Sequence, residues 1–345
     1  MNTNSPLVSV LMPTYNVGQY LAETIESILN QTLSDFELIA VNDGSHDNSL
    51  DILTDYAQRE TRIRVYTQPN QGIATTRNRC LDLATGKYIA WMDADDIALP
   101  KRLKKQVAFM ETHPHIGGSS VWLKTFGAVR ETVWRYPTDD KTMRSLLIFQ
   151  PPLVCAAAIL RRDLIEQFNL RFDTSFRVAE DYDFWSKVAE HTQIANLPEV
   201  LYLYRVHTAQ ITERHKQNLQ ELSYRVQARY LDHLQLQLTP DEFNTHSTLN
   251  NTLIPDQLRT PEFIEKVDQW LQKLQAANQA TSIFPEPAFS SVLAQRWFLA
   301  CRQLSHLGWW AWQRYWESSL SQHFHIRSLS KAKFFVYSVI GKQKV

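Results

Sequence analysis

The stretch Lys87-Tyr-Ile-Ala-Trp-Met-Asp93-Ala-Asp95-Asp96 decides the fold of this chain. From Tyr88 to Met92 it is an almost unbroken apolar run, the pattern of a short strand buried on both faces of a mainly parallel sheet. Three carboxylates follow at the end of the run. In open α/β sheets the ligand crevice lies outside the carboxyl ends of the strands, so Asp93, Asp95 and Asp96 are expected to project into a cleft. Carboxylates beside a core strand are costly without a cation, and hard oxygen ligands at this density suit Mg2+ or Mn2+ with a diphosphate as guest. A solvated acidic turn before the helix that Pro100 opens would read the same in isolation, so the motif takes its meaning from its surroundings.

Upstream, strand and helix patterns alternate. Residues 7–12 are β-rich and are broken by Pro13-Thr-Tyr-Asn16, after which Tyr20, Leu21, Ile25, Ile28 and Leu29 recur at helical spacing. Residues 36–41 form a second apolar run that enters Asn42-Asp43-Gly44-Ser45-His46-Asp47-Asn48-Ser49. There Gly44 permits a tight turn, and Ser45 or Asp47 can cap the helix carrying Leu50, Ile52, Leu53 and Tyr56. Residues 63–66 give a third strand, and the amide-rich turn Gln68-Pro-Asn-Gln-Gly72 leads into a helix over about 73–84. This alternation predicts a doubly wound α/β unit of Rossmann type with three polar strand ends on one edge. Neither G-x-G-x-x-G nor G-x-x-x-x-G-K-[ST] occurs, so phosphate must be held by other means, and a metal on Asp95 would do it.

The chain has 345 residues, 44% of them hydrophobic, enough for one large α/β domain and a smaller appendage. Lys+Arg and Asp+Glu are both 36, so no net field draws in nucleic acid. Cys80, Cys155 and Cys301 have no paired spacing, which argues against a disulfide framework or a zinc site and fits a reducing cytoplasm. The start, Met1-Asn-Thr-Asn-Ser-Pro, lacks the basic and apolar regions of a signal peptide, and no apolar stretch approaches the ~20 residues of a membrane span. The expectation is a cytoplasmic protein whose membrane contact, at the inner face of the cell membrane, is peripheral.

Four elements, Val-Leu-Met-Pro-Thr-Tyr-Asn16, Val-Asn-Asp43-Gly-Ser-His-Asp-Asn-Ser, Asn70-Gln-Gly-Ile-Ala-Thr-Thr-Arg77-Asn and Trp-Met-Asp93-Ala-Asp95-Asp, resemble in order and spacing those of family 2 glycosyltransferases, with the GT-A fold. The resemblance runs from Val8 to His207. It implies a nucleotide pocket, usually for uridine, at Pro13, Thr14, Tyr15 and Asn16, with Thr14 and Tyr15 beside the base. Asp43 is expected to hydrogen-bond to the base, Arg77 to lie near the nucleotide, Asp93 near the ribose and donor sugar, and Asp95 on the metal. A carboxylate that accepts an N–H from uracil reads its edge, and a divalent ion bridging carboxylate and diphosphate neutralises charge as the leaving group departs.

Beyond Pro100 a helix runs to about residue 112, and the β-rich residues 116–134, with turn or bulge signals at Gly117-Gly118 and Gly127, read as a small antiparallel insertion. Then comes Ala179-Glu180-Asp181-Tyr-Asp-Phe-Trp185, whose acids suit a helix N-terminus. Inverting sugar transfer needs a carboxylate to take the acceptor's proton. The resemblance places that base at the Glu-Asp pair, assigned to Asp181 with Glu180 as second candidate. Trp185 either stacks on a sugar face or packs in the core. The segment Leu201-Tyr-Leu-Tyr-Arg205-Val-His207 resembles the family's Tyr-Arg-x-His element, whose histidine is expected near the metal and diphosphate.

The resemblance ends there, giving an α/β GT-A domain over 1–212 and a helical region over 213–345. In the latter, 219–238 and 263–274 are helical patterns, tryptophan concentrates at Trp297, Trp309, Trp310, Trp312 and Trp316, and lysines flank a short apolar run over 331–345. That tail suits contact with an anionic membrane surface. The whole implies a Mn2+- or Mg2+-dependent inverting transferase moving a sugar from a nucleotide donor, a UDP-sugar, to a hydroxyl of a saccharide or lipid-linked saccharide. A sugar nucleotidylyltransferase would want a Gly-rich basic loop where Pro13-Thr-Tyr-Asn16 stands. A silent nucleotide-sugar-binding scaffold would have no need of Asp93, Asp95 and Asp181 together.

Overall fold

The computed structural model describes residues 5–128, 130–207, 216–250, 253–324 and 328–340. They group into two compact units, one of the chain up to Met143 with Pro151–Ser223, the other of Arg144–Gln150 with the chain from Tyr224 on. The boundary expected after residue 212 lies outside the described residues.

In the first unit, β1 (Val8–Thr14), β2 (Phe36–Asn42), β3 (Ile63–Thr67) and β4 (Tyr88–Trp91) pair in parallel in the order β3-β2-β1-β4. Every residue of β1, β2 and β4 is buried, which is why these strands read as largely apolar runs rather than alternating ones; the interior polar residues, Ser9 of β1 and Glu37 of β2, are hydrogen-bonded to each other at 2.7 Å. Helices α1 (Gly18–Leu29), α2 (Ser49–Arg59) and α3 (Ile73–Leu83) make the crossovers. One carboxylate serves two of their starts: Asp47 Oδ2 accepts from the Gly18 N–H at 2.9 Å and its Oδ1 from the Ser49 N–H at 3.0 Å. The loops after β1 and β2 are thereby tied together, and Asn16 adds to the tie by accepting from the His46 N–H at 2.8 Å.

The remaining strands are β5 (Ile97–Ala98), β6 (Ile116–Gly127), β7 (Val133–Trp134), β8 (Ile159–Arg161) and β9 (Gln193–Val206). Past β4 the sheet turns mixed: β8 is antiparallel to β4 and β6, β9 runs parallel to β6, and β5 and β7 pair antiparallel with β9 and β6. The segment 116–134 therefore differs from an appended insertion, since β6 is a twelve-residue strand inside the main sheet, between β8 and β9. Gly117 and Gly118 mark a register shift against β9, and their missing side chains leave room for neighbours. A Cβ on Gly118 would stand 2.6 Å from Trp185 Cζ3. The helices here are α4 (Arg102–Thr112), α5 (Asp140–Leu146), α6 (Arg162–Gln167) and α7 (Glu180–His191).

The second unit holds most of α8 (Lys216–His233) together with α9 (Pro240–Leu249), α10 (Pro261–Thr281), α11 (Ala288–Gln303), α12 (Trp309–Glu317) and α13 (Ser328–Ile340). Thr239 opens α9 with a capping box to Glu242, and Thr260 opens α10 by accepting from the Phe263 N–H. The core is aromatic, with Trp270, Trp297, Phe289, Tyr315 and Phe334 buried alongside Ile148 and Phe149 of the segment taken from the middle of the chain. Inside it, Trp270 Nε1–H donates to His246 Nδ1 at 3.2 Å while His246 Nε2 meets the Ile148 carbonyl at 3.0 Å. Burial lowers the His246 pKa to about 4, so the ring is neutral. Because the Trp185 ring cannot swing away in the packed interior, Gly118→Ala is expected to cost roughly 1–3 kcal/mol of stability, read from the urea midpoint at unchanged slope.

Candidate functional site

The carboxyl ends of β1, β2 and β4 bring the first polar segments together, and each is organised differently. Asp43, just past β2, is buried, and its carboxylate accepts from Gln68 Nε2 (2.7 Å), the Gln71 N–H (2.9 Å) and the Gly72 N–H (2.9 Å). The 68–72 turn is thus wrapped around it. Gly44, at φ +70, lets that turn approach: a Cβ there would lie 2.8 Å from the Asn70 nitrogen. A carboxylate has about four acceptor positions, so Asp43 retains roughly one for a ligand. Thr14 is buried and its carbonyl accepts from the Asp43 N–H at 2.9 Å, and Pro13 is buried as well. Tyr15, 42% exposed, presents its ring to solvent beside Asn16, which bends back at φ +50.

Arg77, on α3, is the cation that the acids required. It is buried, with Nη1 2.6 Å from Glu180 Oε1 and Nη2 3.4 Å from Asp93 Oδ1, and its guanidinium lies 5.7 Å from the Trp91 ring and 5.4 Å from Phe172. The end of β4 and the start of α7 are joined through this one side chain. At Glu180, burial pushes the carboxyl upward and Arg77 pulls it back, while neighbouring Asp181 and Asp93 add to the upward push.

Past Asp93 the acids divide. Asp95 is partly exposed and its Oδ2 lies 2.9 Å from His207 Nε2, whose ring packs 4.8 Å from Tyr20. Asp96 does not enter the cleft as expected; it is buried, accepts from the Arg205 N–H at 2.7 Å, and is pushed well above the ordinary carboxyl range by burial, with Asp95 and Asp93 adding to it. Its inward turn lets β9 dock on the loop. Arg205 completes the clasp by donating Nε–H to the Asp95 carbonyl at 2.6 Å and Nη2–H to Glu23 at 2.5 Å. Among the described residues no three His, Cys, Asp or Glu side chains gather as a metal cage. Asp95 and His207 offer two adjacent donors, which fits an ion that keeps its other positions for water and phosphate oxygens, as Mg2+ does.

At the start of α7 the backbone is strained. Ala179 sits at φ +60, ψ 16, a left-handed conformation costing roughly 1–2 kcal/mol for a residue with a Cβ. The two residues after it face different surroundings: Glu180 is buried on Arg77, whereas Asp181 is partly exposed and accepts the N–H of its neighbour Tyr182 at 2.8 Å. Asp181 is near enough to Asp93, Arg77 and Tyr136 for its charge to act on each. Trp185 cannot stack on a sugar here. It is fully buried, edge-on to Phe184 at 5.9 Å and filling the space that Gly118 leaves.

Sequence reasoning passed over three supporting groups. Tyr202 is buried on β9 and its hydroxyl accepts from the Asp93 N–H at 3.3 Å. Arg102 is buried beneath, donating to the Trp91 carbonyl at 2.6 Å, its pKa lowered by burial to about 10. Thr24 donates to the Asp96 carbonyl at 2.8 Å. The alternation in Leu201-Tyr-Leu-Tyr204 carried a signal for Tyr202; nothing local marked Arg102 or Thr24. Breaking the central pair should be severe: Arg77→Met leaves Glu180 buried and unpaired, at about 3–5 kcal/mol. Arg77→Met with Glu180→Gln is expected to recover at least half of that loss in urea unfolding.

Comparison with known proteins identifies the family and the fold. Residues 9–168 match the family model described as Glycosyl transferase family 2. The chain is 35% identical over 228 residues to an uncharacterized glycosyltransferase of Haemophilus influenzae, covering 62% of this chain and 71% of that one. The crystal structure of S. aureus TarS 1-349 in complex with UDP-GlcNAc superposes with a TM-score of 0.57 at 21% identity, covering 93% of each chain. The mannosyltransferase PcManGT from Pyrobaculum calidifontis in complex with GDP-Man and Mn2+ gives 0.53 at 19% identity, covering 97% of this chain and 88% of that one. At these identities the structural likeness is one of fold, the GT-A arrangement with a helical C-terminal region.

Proposed function

Since this chain belongs to glycosyl transferase family 2 and is a glycosyltransferase, we propose that it moves a sugar from a UDP-sugar to a hydroxyl of a saccharide or lipid-linked saccharide, inverting the anomeric configuration. Asp181 is the base in this reading, and Asp95 and His207 hold a divalent ion, Mn2+ or Mg2+.

The observation that carries the reading is the unequal fate of two adjacent carboxylates. Glu180 is buried and paired with Arg77 at 2.6 Å, which withdraws it from solvent. Asp181 stays accessible at the strained start of α7 and within electrostatic range of Asp93. As the acceptor oxygen forms its bond to the anomeric carbon, its proton passes to Asp181, and the bond from that carbon to the diphosphate oxygen breaks on the opposite face. A divalent ion bound at Asp95 and His207 would supply neutralising charge to the departing diphosphate. Arg77 keeps Asp93 and α7 in fixed relation, so the base and the donor sugar meet in one geometry. The exposed ring of Tyr15 offers a face for the base, and Asp43 supplies its remaining acceptor position to a uracil N–H. The similarly folded TarS holds UDP-GlcNAc and PcManGT holds GDP-Man, which supports a nucleotide-sugar donor, and the choice of uridine rests on Tyr15 and Asp43.

Two substitutions test the assignment. Asp181→Asn keeps the side-chain volume but cannot take a proton, so transfer should fall by roughly 10²–10⁴-fold while calorimetric binding of UDP with Mn2+ stays within about twofold. Transfer lost in Glu180→Gln but kept in Asp181→Asn would move the base by one residue. Asp95→Ala should weaken UDP binding strongly in the presence of Mn2+ and hardly at all in EDTA, because it removes a donor that anchors the ion. Equal weakening in both conditions would remove Asp95 from the metal site.

A further inference from the structure

The second unit carries an apolar surface that its own core does not use. On α13, Phe334 and Ser338 face inward and are buried. The other side of the helix exposes Ala332, Phe335, Val336, Val339 and Ile340, at spacings of 3, 4, 7 and 8 from the first, which is one continuous stripe. The last four are 41–58% exposed. Helix α12 extends the stripe with Trp309, 47% exposed, and Trp316, 41% exposed. The Trp309 and Phe335 rings meet edge-on at 5.9 Å, and Lys331 Nζ lies 4.7 Å from the Trp316 ring centre. Side chains of two helices thus form a single patch, far more contiguous than scattered surface apolar residues.

Charge identifies the occupant. From Ser318 onward the sequence contains Arg327, Lys331, Lys333, Lys342 and Lys344 and no Asp or Glu, in a chain whose formal net charge is zero. Lys331 and Lys333 are exposed at the start of the stripe. Tryptophans with an apolar body and a polar N–H, beside an aliphatic stripe with basic flanks, are the composition of a helix lying in the plane of a bilayer interface. No helix among the described residues is long and apolar enough to cross a membrane, so the contact would be in-plane. We propose that α12 and α13 form a docking surface for a bilayer carrying anionic lipid, with Phe335, Val336, Val339, Ile340 and Trp309 entering the headgroup boundary and the lysines meeting lipid phosphates. Docking itself is independent of the transfer reaction; its use, to keep the enzyme where lipid-linked acceptors lie, rests on the function proposed above.

The test is co-sedimentation of the full chain with vesicles of phosphatidylcholine alone or of phosphatidylcholine mixed with phosphatidylglycerol. The unaltered protein should bind the mixed vesicles, weakly or not at all the neutral ones, and should release as salt is raised. Phe335→Ser/Val339→Ser/Ile340→Ser and, separately, Lys331→Glu/Lys333→Glu should each weaken binding by roughly tenfold or more. Donor hydrolysis should be unchanged in both. Should the triple variant misfold, the lysine variant and the salt series decide alone. Brominated lipid should quench tryptophan emission in the unaltered protein and less in Trp309→Phe/Trp316→Phe. Absence of vesicle binding, binding indifferent to both sets of substitutions, or a dimer in sedimentation that the triple variant converts to monomer would overturn the proposal. The last outcome would make a second copy the occupant. Vesicle binding without hydrolysis of any UDP-sugar would leave docking standing and sink the functional reading instead.

Discussion

The acidic edge of the first unit is organised around one buried guanidinium. Arg77 stands between Asp93 at the end of β4 and Glu180 at the start of α7, two segments that otherwise carry only like charges toward each other. Without a cation between them, acids this close would have to take up protons or move apart. With it, the upward push of burial on the Glu180 carboxyl is opposed by a charge partner, and Asp181 is left outside the pair. Arginine suits the position better than lysine because its planar fork reaches two carboxylates at once while its faces rest near Trp91 and Phe172.

A second clasp acts on the other side of the acidic loop. Arg205 and Tyr202 from β9 hold the backbone around Asp93, Asp95 and Asp96, and His207, two residues on, reaches Asp95. The strand that completes the sheet therefore also shapes the loop and brings the chain to the position from which His207 reaches Asp95. The backbone strain at Ala179 belongs to the same design, since the unusual turn lets adjacent carboxylates meet different environments.

Much of this was legible in the sequence, for reasons that can be named. Strands β1, β2 and β4 are buried throughout, so they leave largely apolar runs, and the polar residues ending them mark the edge of the candidate site. What escaped was set by long-range packing. Arg77 and Glu180 are 103 residues apart, and no local pattern shows which of Glu180 and Asp181 the arginine will claim. Asp96 looks like Asp95 until β9 arrives to take its carboxylate. Trp185 reads equally as a sugar platform or core filler, and the vacancy at Gly118 that decides the matter lies on a different strand. The parallel pairing of β6 with β9 is likewise invisible to any window of sequence, as is the membership of Arg144–Gln150 in the helical unit.

The shared cap at Asp47 and the turn wrapped on Asp43 have a consequence for how a nucleotide would be met under the proposed function. Both use carboxylates, Asp43 buried and Asp47 exposed, to fix backbone N–H groups of loops that in many proteins would settle only around a ligand. The conformational entropy of these loops is lost when the chain folds, leaving little of it to be lost at encounter. Nucleotide capture on this edge should therefore resemble docking into a rigid socket, with a small ordering entropy and an association rate governed by diffusion and charge rather than by loop closure.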